Sequence, residues 1–309
     1  MYKLKFLFDL FNSKLIVTTH GPLYKTKKNI TIDLWHGIPM KGMNLMDSGE
    51  LYPKPLAYID YFNVCSNFEK TILNSCFGMK QKKYTVLGSA RNDYLFNDKN
   101  SVVKTLLNIN KNAKLICFLP TYRDQFNGNY KSFVSKLTFD KFNLSQFNLF
   151  LKKNNFFVIL KYHPNDKNLL ENQLRNKKLS NFRLLSEGFL KTKDLELYEL
   201  LGCSDLLITD YSSVYLDYLL TEKPIIFIPT KIEEYKKNRG FLLEPYDFWT
   251  PGPKCLNQMT LEKEILLCLK SKNYYLAQRL ELKDVFHKYK DNKSTKRIVD
   301  FIISKINLD

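Results

Sequence analysis

Short apolar segments alternate with longer amphipathic segments along the chain of 309 residues. The short segments are near-continuous runs of Ile, Leu, Val and Phe, a pattern typical of strands that are buried on both faces of a parallel sheet. They predict strands at Leu15–Thr18, Ile30–Trp35, Tyr61–Cys65, Tyr84–Leu87, Leu115–Leu119, Phe156–Lys161, Phe182–Leu185, Asp205–Thr209 and Ile225–Ile228.

Between these runs, apolar residues recur with the spacing of an α-helix. The segment Asn67–Phe77 follows Ser66 as the N-cap residue, and Glu69 completes a capping box. Further helices are predicted at Lys193–Leu201, at Ser212–Leu220 and, as an amphipathic series, from Leu261 to Leu308. The alternation of strands and helices indicates an α/β fold with doubly wound parallel sheets.

Two domains are expected, because the chain is long enough for two units of roughly 100–200 residues each. The polar stretch from Asn97 to Ser101 separates two such alternating patterns. It predicts a first lobe at residues 1–100, which is short for a complete doubly wound domain, and a second lobe at residues 101–285.

The net charge narrows the choice of partners. Lys and Arg number 48 against 31 Asp and Glu, which gives a net charge of +17. Such a balance favours nucleic acid, an anionic membrane surface or a phosphate-rich substrate. The basic residues form short clusters rather than one basic arm, so a solvated lysine-rich surface is the alternative interpretation.

The expected cellular location of the protein follows from hydropathy and from the N-terminal residues. No apolar run reaches the ~18–20 residues of a membrane span, and the charged residues in Met1–Phe11 are unlike a signal peptide. We expect a cytoplasmic protein, peripheral at the inner face of the cell membrane if its basic surface binds acidic lipid.

The six cysteines form no CxxC pair, which argues against zinc and redox motifs, and we expect them to be small buried hydrophobic residues.

Two of the four histidines lie at the ends of predicted strands. His36 follows the strand that ends at Trp35, and His163 follows the strand that ends at Lys161. In open α/β sheets, ligands bind beyond the carboxyl ends of the strands, and an imidazole pKa of about 6.5 suits a base or a phosphate donor. The pair therefore predicts a functional site, whereas a turn histidine bonded to the backbone is the alternative for either one alone.

The segment Thr209-Asp210-Tyr211-Ser212-Ser213 gives the strongest sequence signal for a ligand site. A predicted strand ends there and a predicted helix begins, so Ser212 or Ser213 would lie at the helix N-terminus. Backbone N–H groups and the helix dipole favour an anion at that position. Simple N-capping is the alternative, and capping and phosphate binding can coexist.

Two arginines could supply further cations, and several motif classes are missing. Arg123 and Arg239 are expected at two further strand ends, and a guanidinium group matches phosphate oxygens, although either could be an ordinary surface arginine. No GxGxxG, GxxxxGK[ST] or GxSxG motif occurs in the sequence, and no cluster has metal-ligand spacing. Hydride transfer, ATP hydrolysis and esterase chemistry therefore lack support.

A set of motif segments follows in a fixed order along the chain: Trp35-His36-Gly37 with Lys41, Leu87-Gly88 with Arg91 and Asp93, Pro120-Thr121-Tyr122-Arg123-Asp124, Lys161-Tyr162-His163-Pro164, Ser204-Asp205, Ile208-Thr209-Asp210-Tyr211-Ser212-Ser213, Lys223-Pro224, Arg239-Gly240 and Pro251-Gly252-Pro253. In this order they resemble the CDP-glycerol glycerophosphotransferase family, which includes the teichoic acid polymerases and primases. The resemblance extends over about residues 15 to 300.

The resemblance implies a GT-B-like architecture, in which two Rossmann-like lobes face a cleft. The short first lobe would bind the acceptor, the second lobe would bind the CDP-linked donor, and residues 286–309 would form a C-terminal helix that packs back on the first lobe. It also implies attack of an acceptor hydroxyl on the β-phosphorus of CDP-glycerol, or of a related CDP-polyol, with CMP as the leaving group and with no metal or other cofactor.

Residue roles follow from the same resemblance. His36 and His163 would be the catalytic histidines, with His36 as the general base, and Lys41 would lie on the acceptor side. The expected donor and phosphate-binding residues are Arg123, Lys161, Asp210, Ser212, Ser213 and Arg239. Expected partners are a CDP-linked polyol donor and a lipid-linked or polymeric polyol-phosphate or glycan acceptor, in teichoic acid or capsule synthesis, and no nucleic acid.

Three other interpretations compete with this one. A GT-B glycosyltransferase would use a nucleotide sugar instead of a CDP-polyol. A basic nucleic-acid-binding protein would fit the charge, but no recognised DNA or RNA motif occurs in the sequence. An inactive pair of lobes could serve as a scaffold, although the presence of both His36 and His163 argues against it.

Overall fold

The computed structural model of the chain describes residues 8–21, 25–46, 58–121, 139, 141–161, 174 and 178–306. These residues form nine strands: β1 (Leu15–Thr18), β2 (Ile30–Asp33), β3 (Tyr61–Val64), β4 (Tyr84–Val86), β5 (Lys114–Leu119), β6 (Phe156–Lys161), β7 (Phe182–Leu185), β8 (Leu206–Thr209) and β9 (Ile225–Phe227). The same residues form the helices α1 (Asn67–Phe77), α2 (Asn100–Leu106), α3 (Leu144–Lys153), α4 (Glu187–Thr192), α5 (Leu197–Cys203), α6 (Val214–Tyr218), α7 (Ile232–Arg239), α8 (Tyr246–Trp249), α9 (Gln258–Lys270), α10 (Leu276–Phe286) and α11 (Ser294–Ile306).

All nine predicted strands are present, but five of them are one or two residues shorter than predicted. The largest difference is in β2, which ends at Asp33 and not at Trp35, whose backbone is left-handed (φ 56°) and cannot continue a strand.

The helix predictions differ in extent. The predicted helix Lys193–Leu201 is wrong, because α4 ends before Asp194, whose backbone is left-handed (φ 48°), and α5 begins only at Leu197. The helix predicted from Ser212 begins at Val214. The polar stretch from Asn97 to Ser101, predicted to separate the two lobes, contains the first residues of α2.

Helix α1 has the N-terminus that its sequence predicts. The Ser66 hydroxyl accepts a hydrogen bond from the Glu69 amide at 3.1 Å. The Glu69 carboxylate in turn accepts from the Cys65 amide, one residue earlier than a standard capping box requires. Ile72, Leu73 and Cys76 are buried on one side of the helix, which anchors it to the sheet beneath.

The chain divides into two compact units. Unit 1 comprises Met1–Asp93, Lys236–Leu243 and Lys283–Asp309, and unit 2 comprises Tyr94–Tyr235 and Glu244–Leu282. The lobe boundaries at residues 100 and 285 that the sequence suggested stay predictions.

Unit 1 contains a sheet of four parallel strands in the order β1-β2-β3-β4. Its core includes Phe62, Val64 and Leu73, all buried. Helix α11 is attached beside β4, where the Asp93 carboxylate accepts hydrogen bonds from the first two amides of the helix, Ser294 at 2.9 Å and Thr295 at 2.7 Å. A carboxylate at a helix N-terminus stabilises the helix, because its negative charge interacts favourably with the positive end of the helix dipole.

Unit 2 contains a sheet of five parallel strands in the order β7-β6-β5-β8-β9. The order reverses between β5 and β8, so their carboxyl ends form a topological switch point. The strands β5, β6, β8 and β9 are buried along nearly their whole length, as their continuous apolar sequences predict, whereas β7 at the edge is half-buried. A doubly wound sheet of this kind positions a ligand crevice at the ends of β5 and β8.

Three further features bear on the expectations from sequence. All six cysteines are free and buried, as predicted. No helix within the described ranges has both the length and the apolar composition that crossing a bilayer requires. In the same ranges, no group of three or more His, Cys, Asp or Glu side chains is arranged to hold a metal ion.

Candidate functional site

Asp33, the last residue of β2, organises the loops at the carboxyl end of the sheet in unit 1. Its carboxylate is fully buried and accepts hydrogen bonds from the Thr18 hydroxyl at 2.7 Å and from the Gly21 amide at 2.5 Å. It also accepts from the Trp35 amide at 2.6 Å. Asp33 therefore ties the loop after β1 to the loop after β2, and this second loop carries His36.

The imidazole of His36 has a defined tautomer. Its Nδ1 lies 2.8 Å from the Thr19 carbonyl oxygen, which can only accept, so Nδ1 carries the proton in the neutral ring. The lone pair is then on Nε2. The side chain is exposed, and its ring contacts those of His20 and Trp35. An exposed neutral imidazole with its lone pair on a fixed nitrogen is suited to accept a proton from a substrate hydroxyl.

The surroundings of His36 lower its pKa below the ordinary value. Partial desolvation of the ring is the largest cause. The hydrogen bond to Thr19 acts in the opposite direction, the charges of His20 and Arg91 lower the pKa further, and the Asp33 carboxylate raises it. The net direction keeps His36 neutral at neutral pH, which is the protonation state that a general base requires.

Arg91 is a further residue of this site. The sequence identified Arg91 only as part of a motif and assigned it no role. Its Nη1 donates a 2.5 Å hydrogen bond to the His36 carbonyl oxygen. Gly37 lies against it: a Cβ at that position would be 2.6 Å from Arg91 Nη2, and the backbone there has φ +142°. The backbone conformation of Gly37 favours glycine, and the absence of a side chain there leaves room for Arg91 beside the histidine loop.

Lys41 and Arg239, predicted for opposite sides of the reaction, have neighbouring backbones in unit 1. Lys41 forms an antiparallel bridge with Phe241, and the Leu242 amide donates to the Met40 carbonyl at 2.9 Å. Arg239 is the last residue of α7, two positions before Phe241. The Lys41 side chain is exposed. The strand end that the sequence predicted before Arg239 is therefore wrong, because Ile232–Arg239 is helical.

In unit 2, Asp210 joins the two strands at the switch point. It follows β8 directly, is fully buried, and accepts hydrogen bonds from the Thr121 amide at 2.7 Å and the Thr121 hydroxyl at 2.6 Å. The Tyr211 amide donates to the same oxygen at 2.6 Å. These hydrogen bonds tie the turn after β8 to the residues after β5, and the negative charge of Asp210 would conflict with that of a phosphate, so Asp210 is suited to fix the loop that follows.

Ser212 and Ser213 follow this fixed turn and are partly exposed. Ser213 is the N-cap residue of α6 but makes no side-chain capping bond, and Ser212 Oγ lies 3.5 Å from the Val214 amide, a long contact. Simple capping therefore explains neither hydroxyl well. Lys161 is partly exposed and is the last residue of β6. Strand β6 pairs with β5 along the edge of β5 that faces away from β8.

Arg123 and His163 lie outside the described residues, as does the rest of the segment after each of their strands. Four residues of these sites were not predicted from the sequence: Thr19, His20, Asp33 and Thr121. A rule that examines the residues just beyond every predicted strand would have found Thr121, which lies two positions after Leu119. It would have missed Asp33, because the predicted strand continued to Trp35 whereas β2 ends at Asp33.

The chain matches a known family and two curated relatives over nearly its full length. The family model described as CDP-Glycerol:Poly(glycerophosphate) glycerophosphotransferase matches residues 2–304. The teichoic acid glycerol-phosphate primase of Bacillus subtilis is 26% identical over 322 residues, which cover 99% of this chain and 78% of the primase. The teichoic acid poly(glycerol phosphate) polymerase of Bacillus spizizenii is 31% identical over 328 residues, which cover 98% of this chain and 77% of the polymerase.

Solved structures of the wall teichoic acid polymerase TagF have the same fold. One superposes with a TM-score of 0.78 and 27% identity, over 95% of this chain and 73% of TagF. A TagF variant with CDPG superposes with a TM-score of 0.76 and 25% identity, over 95% of this chain and 72% of that variant. The GT-B-like α/β fold class predicted from the sequence is thereby confirmed.

Proposed function

The chain belongs to the CDP-glycerol:poly(glycerophosphate) glycerophosphotransferase family, and on this premise we propose that it transfers glycerol phosphate from CDP-glycerol to an acceptor hydroxyl in the synthesis of a cell-wall polymer. The relatives named above are primases and polymerases of teichoic acid. The TagF variant with CDPG supports CDP-glycerol as the donor.

One observation carries the assignment of the base. Because His36 Nδ1 donates to the Thr19 carbonyl, Nε2 holds the lone pair. In the proposed step, Nε2 takes the proton of the acceptor hydroxyl as its oxygen attacks the β-phosphorus. The new O–P bond forms, the bond from that phosphorus to the bridging oxygen breaks, and CMP departs with the electron pair. General-base assistance of this kind contributes roughly 10²–10⁴-fold to the rate.

The donor groups are proposed to come from unit 2. The switch point at β5 and β8 is the favoured ligand crevice of a doubly wound sheet, and Asp210 fixes the turn that presents Ser212 and Ser213 there. With Lys161 they would donate hydrogen bonds and positive charge to the diphosphate. Arg123, His163 and Arg239 are proposed to complete this set on the family resemblance alone, and no metal or cofactor is invoked.

The acceptor side is proposed from charge. Lys41 is exposed and follows His36 closely in sequence, and the chain carries a net charge of +17. Both suit a polyanionic acceptor, lipid-linked or polymeric, and contact with an anionic membrane at its cytoplasmic face. A ribitol phosphate donor or a capsule polymer as the product would use the same chemistry.

The test measures CMP release from CDP-glycerol, with and without a lipid-linked glycerol-phosphate acceptor. We expect acceptor-dependent release that falls by about 10²–10⁴-fold in His36→Ala, while calorimetric binding of CDP is unchanged. His36→Asn is the matched control, because its amide still donates to the Thr19 carbonyl but cannot accept the proton. It should be as inactive as His36→Ala.

Other outcomes would redirect or reject the proposal. Release from CDP-ribitol alone would retain the reaction class and change the polyol, whereas turnover of a UDP-sugar alone would favour a glycosyltransferase. If no cytidine nucleotide binds, the transferase assignment is wrong. Normal turnover in His36→Ala would reject the base.

A further inference from the structure

Two histidine rings are stacked at the candidate base. The ring centroids of His20 and His36 are 4.2 Å apart and their planes differ by 6°. The Trp35 indole is the second aromatic neighbour of His36, with centroids 4.1 Å apart and an interplanar angle of 40°. His20 is exposed, and none of the roles assigned above uses it.

The loop after β1 holds His20 in this position. The Thr18 hydroxyl and the Gly21 amide, on either side of the intervening residues, both donate to the buried Asp33 carboxylate. Between them, Thr19 contacts both histidines: its carbonyl accepts from His36 Nδ1, and its hydroxyl lies 2.8 Å from His20 Nδ1. One short loop thus supplies a hydrogen bond and a stacking surface to the same imidazole.

The hydrogen bond by itself does not fix the plane of the base. The χ2 torsion of histidine is broad, so an exposed ring held at one nitrogen can swing about that contact. A parallel ring at 4.2 Å restricts this motion, because tilting the His36 imidazole would bring its atoms against those of His20. The direction of the Nε2 lone pair then depends on the stack.

We propose that His20 is a positioning residue for the transfer reaction, whose stacked ring fixes the plane of the His36 imidazole. This inference rests on the proposed role of His36 as the base. His20 touches no reacting atom in the proposed step and acts through His36.

Electrostatics gives the pair a second property that can be measured. Among the described residues, the charged groups with the largest effect on His36 are His20 and Arg91, which oppose its protonation, and Asp33, which favours it. Two like charges about 4 Å apart in a water-like environment repel by enough to move a titration by roughly half to one pH unit. Replacing His20 by a neutral ring should therefore move the acidic limb of the rate profile to higher pH by about that amount.

Two variants separate stacking from charge. His20→Phe keeps an aromatic ring for the stack and loses the charge, whereas His20→Ala loses both. In the pH profile of CMP release, both variants should show the upward shift of the acidic limb. At the alkaline plateau, His20→Ala should lose about tenfold in kcat and His20→Phe less than threefold, because only the alanine variant frees the ring plane. The KM for CDP-glycerol should stay within about twofold of wild type in both.

A second readout needs no turnover and so separates this inference from the proposed function. The four histidines of the chain each give an imidazole C–H signal in NMR, and the His36 signal is identified by its loss in His36→Asn. Its titration midpoint should rise in His20→Phe and in His20→Ala. An unmoved His36 midpoint in both variants, or a plateau kcat in His20→Ala equal to wild type, would overturn the positioning role even if the transferase activity is established.

Discussion

The two units use the same local device to build different sites. In each, a fully buried aspartate at the end of a strand, Asp33 or Asp210, accepts hydrogen bonds from a threonine hydroxyl near the end of the neighbouring strand and from backbone amides. In unit 1 the tied loops present an exposed imidazole. In unit 2 the fixed turn presents two serine hydroxyls at the start of a helix.

Sheet topology explains why the two sites differ. The strand order of unit 2 reverses between β5 and β8, and such a reversal opens a ligand crevice at the carboxyl ends of these strands. The four described strands of unit 1 follow sequence order without reversal. There the site depends on side-chain placement: Asp33 joins two loops, Thr19 sets a tautomer, and Arg91 holds the histidine loop. Substitutions in unit 1 should therefore affect mainly the rate of transfer, whereas substitutions in unit 2 should affect mainly ligand binding.

The largest effects are expected from removing the two aspartates. Asp33→Ala and Asp210→Ala should each lower the free energy of unfolding by about 3–5 kcal/mol, because each leaves several buried donors without an acceptor. Urea denaturation measures this. Asp33→Ala should also abolish acceptor-dependent CMP release with little change in CDP affinity, whereas Asp210→Ala should weaken CDP binding.

The corresponding asparagine variants are the matched controls. Asn retains one acceptor oxygen, so Asp33→Asn and Asp210→Asn should cost less stability than the alanine variants and remain folded for binding measurements. If Asp33→Asn weakens CDP binding as much as Asp210→Asn does, the division of roles between the units is wrong.

An intermediate effect is expected from a pair of glycines. A Cβ on Gly252 in unit 2 would lie 2.0 Å from the Ile225 carbonyl oxygen, which is backbone and cannot move away cheaply. Gly252→Ala should therefore cost about 2–3 kcal/mol of stability. On Gly37 in unit 1, the nearest atom is the end of the flexible Arg91 side chain, so Gly37→Ala should cost about 1–2 kcal/mol, mainly from backbone strain.

Activity should rank the same two variants in the opposite order. Gly37→Ala displaces Arg91 from the His36 carbonyl and should lower kcat, whereas folded Gly252→Ala should retain it. Thermal unfolding and CMP release, measured on the same preparations, test both halves. Equal losses of kcat in the two variants would contradict the view that Arg91 supports the histidine loop.

The smallest effect is a pH dependence confined to unit 1. The pKa of His36 is lowered, chiefly by desolvation, so the unfolded chain binds the proton more readily than the folded chain. The contribution of His36 to stability is therefore present above the unfolded pKa of about 6.5 and is lost as pH falls through the lower folded value. The rate should likewise remain level down to about pH 6.5 and fall below it.

His36→Asn supplies the control for stability, because it has no titrating ring. Its free energy of unfolding should depend less on pH below about 6.5 than that of the wild type. A wild-type rate that already declines well above pH 6.5 would show that His36 is not held in its neutral form.

Much of the fold was predictable because it is encoded locally. Buried parallel strands are written as continuous apolar runs, and the nine predicted strands agree with those in the structure. The N-terminus of α1 was predictable from Ser66 for the same reason. The helix at Lys193–Leu201 was not, because its break depends on the left-handed backbone of Asp194, which an aspartate adopts only in some contexts.

The candidate site was predictable in part. His36, Ser212 and Ser213 follow strands, and the rule for open sheets identifies such positions from sequence alone. Arg91 and His20 reach His36 from other loops, 55 positions away in the case of Arg91. No local pattern reports a contact over that separation.

The sequence by itself determined the order of strands and helices, the family and the strand-end positions of the reactive groups, because these depend on residue type and on spacing along the chain. The tertiary structure decided which nitrogen of His36 carries the proton, which groups donate hydrogen bonds to the carboxylates of Asp33 and Asp210, and where the strand order reverses. These properties arise from contacts between residues far apart in sequence, since a tautomer or a lowered pKa is set by whatever packs against the group.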